Sequence, residues 1–256
     1  MSKEQLPKSP NERLRRAMAE HGLTNLALAE ELDVNVKTVV RWITESRIPY
    51  PRYRYQLATR FKVDESYLWP DALPRSRAVA VSQSEIVQVY PHRADMPRDD
   101  WLRLFKSAQD EIGVLVYAGL FFAEDTGLER ILLKKAKAGV RVRVMLGDPS
   151  DAHIAERGEE EGIGDGLASK IRNALLLFRK LRETEGIEFR LHRTVLYNSI
   201  YVVDDQLLVN THIYGLAAAR APIWHLKKIP GGELAAPYRE SFEAVWDLSV
   251  PLSEED

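Results

Sequence analysis

Asn198, Asp205, Asn210, Thr211 and His212 fall within 15 positions of one another, on or beside segments that otherwise read as buried strand. Side chains of these types gathered at a sheet edge can line a crevice and orient a ligand by hydrogen bonds. Buried polar groups also satisfy turns and one another, and the sequence leaves both readings open. His192 alternates on its strand with Glu188 and Arg190, away from Ile187, Phe189 and Leu191, which predicts a ring facing solvent. His153 falls in a polar loop, and His225, near Lys227 and Lys228, suits an anionic ligand or plain surface. No His pair has metal-ligand spacing on one helix face, and no carboxylate pair stands out as acid and base. Glu159, Glu160, Glu161 and Asp165 sit among four glycines between Gly158 and Gly166, which predicts a mobile acidic loop and no metal cage. The chain has no Cys, which excludes a disulfide framework, thiolate metal sites and cysteine catalysis. It has neither the glycine fingerprint of a dinucleotide fold nor a P-loop, so no cofactor is expected.

A second group of residues points to different chemistry. Between Val36 and Arg60 stand Lys37, Arg41, Arg47, Arg52, Arg54 and Arg60 against one acid, Glu45. Residues 1–80 hold 14 Lys or Arg and 10 Asp or Glu, a balance of +4, whereas residues 81–256 hold 22 and 28, a balance of −6. Such a cluster is either a solvated helix face or a surface for phosphates, and composition does not separate the two. The elements around it narrow the choice. Ser9-Pro10-Asn11-Glu12 combines a capping Ser, Pro at the first helical position and Glu three residues after the cap, ahead of Leu14, Ala17 and Met18. A first helix is therefore predicted to start there and to end at Gly22. Thr24 caps a second, with Leu28, Ala29 and Leu32 inward, and Asp33-Val34-Asn35 makes a short turn. Asn35 caps a third, from Val36 to roughly Thr44, with Val39 and Trp42 inward and Lys37, Thr38 and Arg41 outward. Pro49 and Pro51 break the chain, and Tyr53–Phe61 and Asp64–Trp69 supply closing helices.

The stretch from Leu23 to Trp42, with Ala29 at the helix crossing and Val34, Thr38, Val39, Arg41 and Trp42 in the recurring pattern, resembles the Cro/repressor-type (XRE) helix-turn-helix family. The resemblance implies an all-α DNA-binding domain. Asp33 stands where that family usually has Gly in a left-handed turn, which Asp adopts at some cost. Asn25 stands where a Gln commonly grips a phosphate. A helix in the major groove needs outward hydrogen-bond donors near its N-terminus, and Lys37, Thr38 and Arg41 supply them. Arg47, Arg52 and Arg54 would meet phosphates, which position a protein without reading sequence. With Asn25 and Asn35, these residues form the expected DNA-binding set. A helical bundle for protein contacts is the alternative.

Asp71–Glu85 is rich in Ala, Ser, Arg and Pro and has no helical stripe, so the expected organisation is a domain over 1–70, a linker over 71–85 and a second domain over 86–256. Beyond the linker, Ile86–Tyr90 reads as a strand, Trp101, Leu104, Phe105 and Ala108 as one face of a helix, and Ile112–Phe122 as a buried strand. Leu128, Ile131, Leu132 and Ala136 mark another helix and Val140–Leu146 a third strand. A long helix with Ile171, Ala174, Leu175, Phe178 and Leu181 on one face follows. Ile187–Arg193, Tyr197–Val203 and Leu207–Thr211 are further strands, and a helix over about Ala236–Trp246 closes the chain. The alternation predicts an α/β domain with a mainly parallel sheet flanked by helices.

Residues Leu128–Pro149, the long helix and the strands from Tyr197 to Thr211 resemble half of a phospholipase D-like domain, over roughly residues 85–248. That family works through H-x-K-x4-D, in which His attacks phosphorus, Lys holds the non-bridging oxygens and Asp orients the partner His. Laid on Asn198–Asp205, the motif retains its last position alone: Asn198 stands in the nucleophile slot and Ile200 in the lysine slot. An amide is no nucleophile and Ile binds no anion, so the resemblance implies a pseudoenzyme. Because the family's site forms where two halves meet about a two-fold axis, a chain with one half is expected to be a homodimer.

The expected function is a cytoplasmic, dimeric transcription regulator that reads a pseudo-palindromic operator in double-stranded DNA. Its second domain pairs the subunits, and a small-molecule effector or a protein partner stays open there. No membrane partner is expected, since the longest apolar run, Ile112–Ala123, falls short of the ~20 residues a bilayer span needs. Two rivals stand beside this reading. One is a DNA-targeted phosphodiesterase or nuclease using His212, and the other an adaptor that recruits a partner protein to DNA.

Overall fold

Asn11 shows how the first helix is held. Its side-chain oxygen accepts a hydrogen bond from the Leu14 amide at 3.0 Å, and its Nδ2 donates to the Leu68 carbonyl at 2.7 Å. One residue thus caps the helix and ties it to a distant segment, which is why Asn11 is the cap. The expected cap, Ser9, lies outside the residues described by the computed structural model, which are 10–72 and 75–252 of the 256. The chain divides into two compact units, with the boundary between Ser84 and Glu85 and residues 229–233 grouped with the first.

The described part of the first unit is helical: α1 (Glu12–Glu20), α2 (Asn25–Glu31), α3 (Val36–Thr44), α4 (Pro51–Phe61), α5 (Glu65–Leu68) and α6 (Arg75–Ser84). Leu14, Leu28, Val39, Trp42, Leu57, Phe61 and Leu68 form its core. Pro51 opens α4 at the first helical position, where a missing N–H has no consequence. The α6 segment corrects the expected linker. It carries no apolar stripe, so periodicity is silent, but Ala, Arg and Gln favour a helix locally.

The second unit carries β1 (Ile86–Tyr90), α7 (Arg98–Ser107), β2 (Glu111–Leu115), α8 (Leu120–Ala123), α9 (Thr126–Lys137), β3 (Arg141–Gly147), α10 (Ala152–Glu160), α11 (Gly166–Leu177), α12 (Arg179–Arg182), β4 (Ile187–His192), β5 (Asn198–Val203), β6 (Gln206–Thr211), β7 (Ile223–Lys227), α13 (Ala236–Leu248) and β8 (Val250–Pro251). The sheet order is β1-β7-β6-β5-β2-β3-β4-β8. Only β2–β3 and β3–β4 are parallel; the other pairs are antiparallel. The sheet is therefore mostly antiparallel, not mainly parallel. Helical crossovers do make β2, β3 and β4 parallel, but the two residues between β5 and β6 force a hairpin, and β1 pairs with β7 at the far edge instead of lying beside β2. The expected strand Ile112–Phe122 also stops early, because Gly119 turns the chain at φ +63 into α8.

One face of the sheet packs on α7, with Trp101 edge-on to Tyr201 at 4.9 Å. The other receives α13, and a Cβ at Gly113 would sit 2.5 Å from the Phe242 ring, so that helix approaches only because Gly stands there. On the α13 side Arg143, 3% exposed, donates through both terminal nitrogens to Glu243 at 2.7 Å and lies 3.4 Å from Glu111. Arg141 and Arg239 also reach Glu111. Burial alone would raise the Glu111 carboxyl, but the guanidinium groups of Arg239, Arg141 and Arg143 outweigh it and hold the group below its ordinary range. Asp204 pins the β5–β6 turn. It is left-handed at φ +52, and its carboxylate accepts from the amides of Gln109, Asp110 and Glu111 at 2.8–2.9 Å.

The expected acidic loop is also different. Gly158, Glu159 and Glu160 belong to α10, and Arg157 binds Glu160 at 3.3 Å and Glu161 at 2.8 Å. A buried guanidinium, which sequence periodicity does not reveal, supplies the countercharge. Among the described residues no cluster of His, Cys, Asp or Glu is arranged to hold a metal, and no helix is long and apolar enough to cross a membrane.

Candidate functional site

The residues that the sequence singles out gather in two places. The first is α3. Asn35 caps it, its Oδ1 accepting from the Lys37 amide at 2.9 Å, and Asp33 makes the preceding turn in the left-handed conformation at φ +52. Val39, Trp42 and Ile43 are buried, and the Trp42 ring meets Tyr53 at 5.6 Å. That packing fixes which side faces out: Lys37 and Arg41 are exposed and Thr38 half-buried. Among the described residues neither Lys37, Arg41 nor the exposed Arg47 has a carboxylate partner.

The remaining members of the expected set divide. Asn25, the first residue of α2, is exposed, and Thr24 caps that helix by accepting from the Ala27 amide at 3.1 Å. Arg52 is exposed, its guanidinium 4.4 Å above the Tyr53 ring. Arg54 is engaged inside the unit, with Nε donating to Glu65 at 3.1 Å and Nη1 to the Pro49 carbonyl at 2.9 Å. A guanidinium held by a carboxylate and a carbonyl is not free for a phosphate, so Arg54 leaves the set.

The second place is a cavity of about 300 Å3 in the second unit, bordered by Arg93, Tyr117, Phe121, Ser199, Asn210 and His212. The β5–β6 register builds it: Ser199 lies directly opposite Asn210, so both point to one face. His212 has Nδ1 3.0 Å from the Leu196 carbonyl and Nε2 3.0 Å from Ser199 Oγ. A carbonyl can only accept, which assigns the proton to Nδ1 and makes the Ser199 hydroxyl the donor to Nε2. Burial pushes the His212 pKa down to about 4, and the charge of Arg157 adds to it although the bond to Leu196 opposes. The ring is neutral near pH 7. Tyr117 stacks on His212 at 5.4 Å, and its hydroxyl accepts from the Leu196 amide at 2.8 Å.

Asn210 is fully buried, with Nδ2 donating to the carbonyls of Ala221 and Pro222 at 3.3 and 3.0 Å, while Oδ1 has no partner among the described residues. The Arg93 guanidinium lies 3.6 Å above the Phe121 ring, and among the described residues no carboxylate pairs with it.

The other expected pocket residues lie elsewhere. Asn198, Ile200 and Thr211 take the opposite parity on β5 and β6 and point away from the cavity; Ile200 is 1% exposed in the core. Asp205 stands at the hairpin turn, at the far end of β5 from Asn198, near Lys227 at 3.6 Å. Side chains alternate with period two, so the motif register that seats Asn198 and Ile200 in the pocket is off by one residue. Moved by one, H-x-K-x4-D falls on Tyr197, Ser199 and Asp204: Ser199 then faces the cavity and Asp204 grips backbone amides. Neither register supplies a His or Lys. Ser199, Tyr117 and Arg93 escape a reading of the sequence, although the opposition of Ser199 to Asn210 follows once the two-residue turn is recognised.

His192 is also corrected. It is 2% exposed, with Nε2 3.1 Å from the Val116 carbonyl and Nδ1 accepting from the Thr194 amide at 3.3 Å, and burial pulls its pKa down. A strand covered on both faces buries both parities, so alternation does not mark a wet side. His153 is half-exposed beside Glu156, and His225 meets Gln206 at 2.9 Å.

Residues 82–253 match the family described as Domain of unknown function (DUF5919). No curated protein matches the chain. Among solved structures, TrmBL2, an archaeal chromatin protein with a novel mode of DNA binding, is similar at 15% identity and a TM-score of 0.42, covering 86% of this chain and 72% of that one. The phospholipase D family member Nuc from Salmonella typhimurium is similar at 16% identity and a TM-score of 0.38, covering 61% of this chain and 91% of that one. Phosphatidylserine synthase from Haemophilus influenzae is similar at 18% identity and a TM-score of 0.43, covering 64% of this chain and 38% of that one.

Proposed function

We propose that this chain, which belongs to the DUF5919 family, is a sequence-specific DNA-binding transcription regulator that acts as a homodimer, with a second unit that senses a ligand and does no chemistry. The observation that carries the reading is the outward face of α3, where Lys37, Thr38 and Arg41 follow the Asn35 cap and the two cations have no carboxylate partner among the described residues. Donors at the start of a helix suit the major groove, and unpaired cations suit phosphates. The resemblance of residues 23–42 to the XRE-type helix-turn-helix points the same way. For the second unit, the support is the absence of His and Lys from the motif slots in either register. Its resemblance to half of a two-fold family supports pairing of subunits.

Selection of bound duplexes from a random library, followed by sequencing, tests the reading. A two-fold symmetric consensus with half-sites about one helical turn apart is expected. Enrichment of no sequence overturns sequence-specific reading, and an asymmetric single site overturns the dimer.

The hydrogen bond between Ser199 and His212 favours one second reading, a hydrolase in which His212 takes the Ser199 proton. Incubation with nucleic acid and a chromogenic phosphodiester separates the two. Turnover that disappears in His212→Ala establishes the hydrolase and removes the non-catalytic sensor.

A further inference from the structure

The cavity beside Ser199 holds two groups whose chemistry is incomplete. Asn210 Oδ1 is a buried acceptor without a donor, while the other end of the same amide is fixed to the Ala221 and Pro222 carbonyls. The amide therefore cannot turn over to exchange its ends: flipping it would aim Oδ1 at two carbonyl oxygens. What Oδ1 lacks is an N–H or O–H from elsewhere. Arg93 is the complementary case, a half-buried guanidinium against the Phe121 ring, with donors and no carboxylate partner among the described residues. Its planar fork matches a two-oxygen anion.

The charges along the cavity set the valence of that anion. Lys170, on exposed α11 surface, and Arg93 contribute two cations; Glu124 and Glu161 contribute two carboxylates, of which Glu161 is bound by Arg157 at 2.8 Å. With Glu161 neutralised by Arg157, the two cations exceed the remaining carboxylate, Glu124, by one charge, which a monoanion balances. Ser199 and His212 bond to each other, whereas among the described residues Asn210 Oδ1 has no hydrogen-bond donor and the Arg93 guanidinium no carboxylate. A volume of about 300 Å3 lies at the small end of ligand cavities, and Val116, Tyr117 and Phe121 make its walls largely apolar.

We infer that this cavity binds a small organic carboxylate that also carries an amine or hydroxyl, the chemistry of an amino or hydroxy acid, with the carboxylate on Arg93 and the donor on Asn210 Oδ1. The inference deepens the reading of the second unit as a ligand sensor and rests on that reading for its biological meaning, but the binding itself is independent of DNA. Such a ligand completes both groups at once: the buried acceptor gains its donor and the half-buried cation its anion.

Calorimetric titration of the full chain with the common amino acids and short hydroxy acids tests it, with matched acids lacking the donor, matched neutral amides and inorganic phosphate as controls. At least one amino or hydroxy acid is expected to bind at millimolar concentration or below, and loss of either the charge or the donor is expected to weaken it by about tenfold to a hundredfold. Arg93→Met should remove the preference for acid over amide while the thermal unfolding profile stays that of a folded protein. Asn210→Leu should remove the preference for the donor-bearing acid; where that variant does not fold, the matched ligands report the same contact in the native chain. Binding of acid and amide alike, phosphate binding tighter than every carboxylate, or no binding across the panel overturns the proposal. Ligand binding without any effect on DNA affinity leaves the cavity assignment standing and sinks the sensor reading instead.

Discussion

Arg41 and Arg143 carry the same guanidinium in opposite surroundings. Arg41 stands exposed on α3 with no carboxylate partner among the described residues, while Arg143 is 3% exposed and meets Glu243 and Glu111. A desolvated charge persists only where opposite charge and hydrogen bonds replace water, so Arg143 is bound into the fold, with its Nε buried and out of reach of a partner. An exposed cation needs no such compensation and retains its full capacity to meet a phosphate. The two arginines therefore serve different ends, and the presence of an ion pair distinguishes the uses better than residue type or local charge density does.

Removing Arg143 is the most severe way to probe that contrast. Arg143→Ala leaves Glu111 and Glu243 without one of their cations, and a loss of about 3–5 kcal/mol in unfolding free energy is expected by denaturant titration. Replacing Arg143 and Glu243 together by apolar residues of similar volume should cost far less. Equal losses for the single and double variants would show that packing against Phe242 and Trp246, whose rings lie 4.9 and 5.0 Å from the guanidinium carbon, matters more than charge.

Acid separates the cavity from the ion-pair network. The folded pKa of His212, about 4, lies below its unfolded value near 6.5, so below pH 6.5 the unfolded state takes up a proton that the folded state refuses. The stability present above pH 6.5 is then lost progressively down to about pH 4, by up to about 3 kcal/mol. Glu111, Glu243 and Asp204 are also held below their ordinary values, and their contribution is present at pH 5 and falls only once the pH drops through the carboxylate range. His212→Gln should flatten the upper window and leave the lower one intact, with His192 and His225, both also lowered by burial, accounting for what remains of the upper one. An unchanged upper window would mean that His212 is solvated.

Within the helical unit the contrast narrows to two arginines of one basic segment. On the proposed reading, Arg41→Ala weakens binding to the selected operator by about 1–3 kcal/mol and relaxes specificity at one base position, with no change in unfolding. Arg54→Ala should do the reverse: its bonds to Glu65 and Pro49 are lost, destabilising the unit by about 1–3 kcal/mol, while the folded fraction binds DNA as before. Anisotropy titrations at matched folded fraction separate these outcomes. An operator defect in Arg54→Ala as large as that in Arg41→Ala would return Arg54 to the DNA surface.

How far the sequence displays all this depends on the range of the interactions. The α3 segment is legible because its cap, turn and buried face lie within ten residues of one another: Asn35, Asp33 and the pair Val39 and Trp42 each follow a local rule. The cavity is legible in part. Asn210 and His212 share a strand parity and stand out as polar residues in an apolar run, but Ser199 depends on a register in which one residue decides the face. Arg93 is invisible locally, since its place beside Ser199 and Asn210 arises from β1 and β7 meeting at the far edge of the sheet. The same long-range pairing defeats the expectation of a mainly parallel sheet. Arg143 reads as one more alternating residue until Gly113 and Phe242 define what lies above it.

Arg52 offers the finest test of the comparison because it belongs wholly to neither class. Its guanidinium is exposed like that of Arg41, yet it rests on the Tyr53 ring 4.4 Å away, a contact that orients the cation without neutralising it. A stacked cation retains its charge for a phosphate and loses the freedom to reach a base edge. Arg52→Ala should therefore weaken binding to operator and random duplex by the same small factor and reduce the slope of log affinity against log salt by about one. A selective loss on the operator would make Arg52 a base reader, and an unchanged salt slope would assign it, like Arg54, to the architecture of the helical unit.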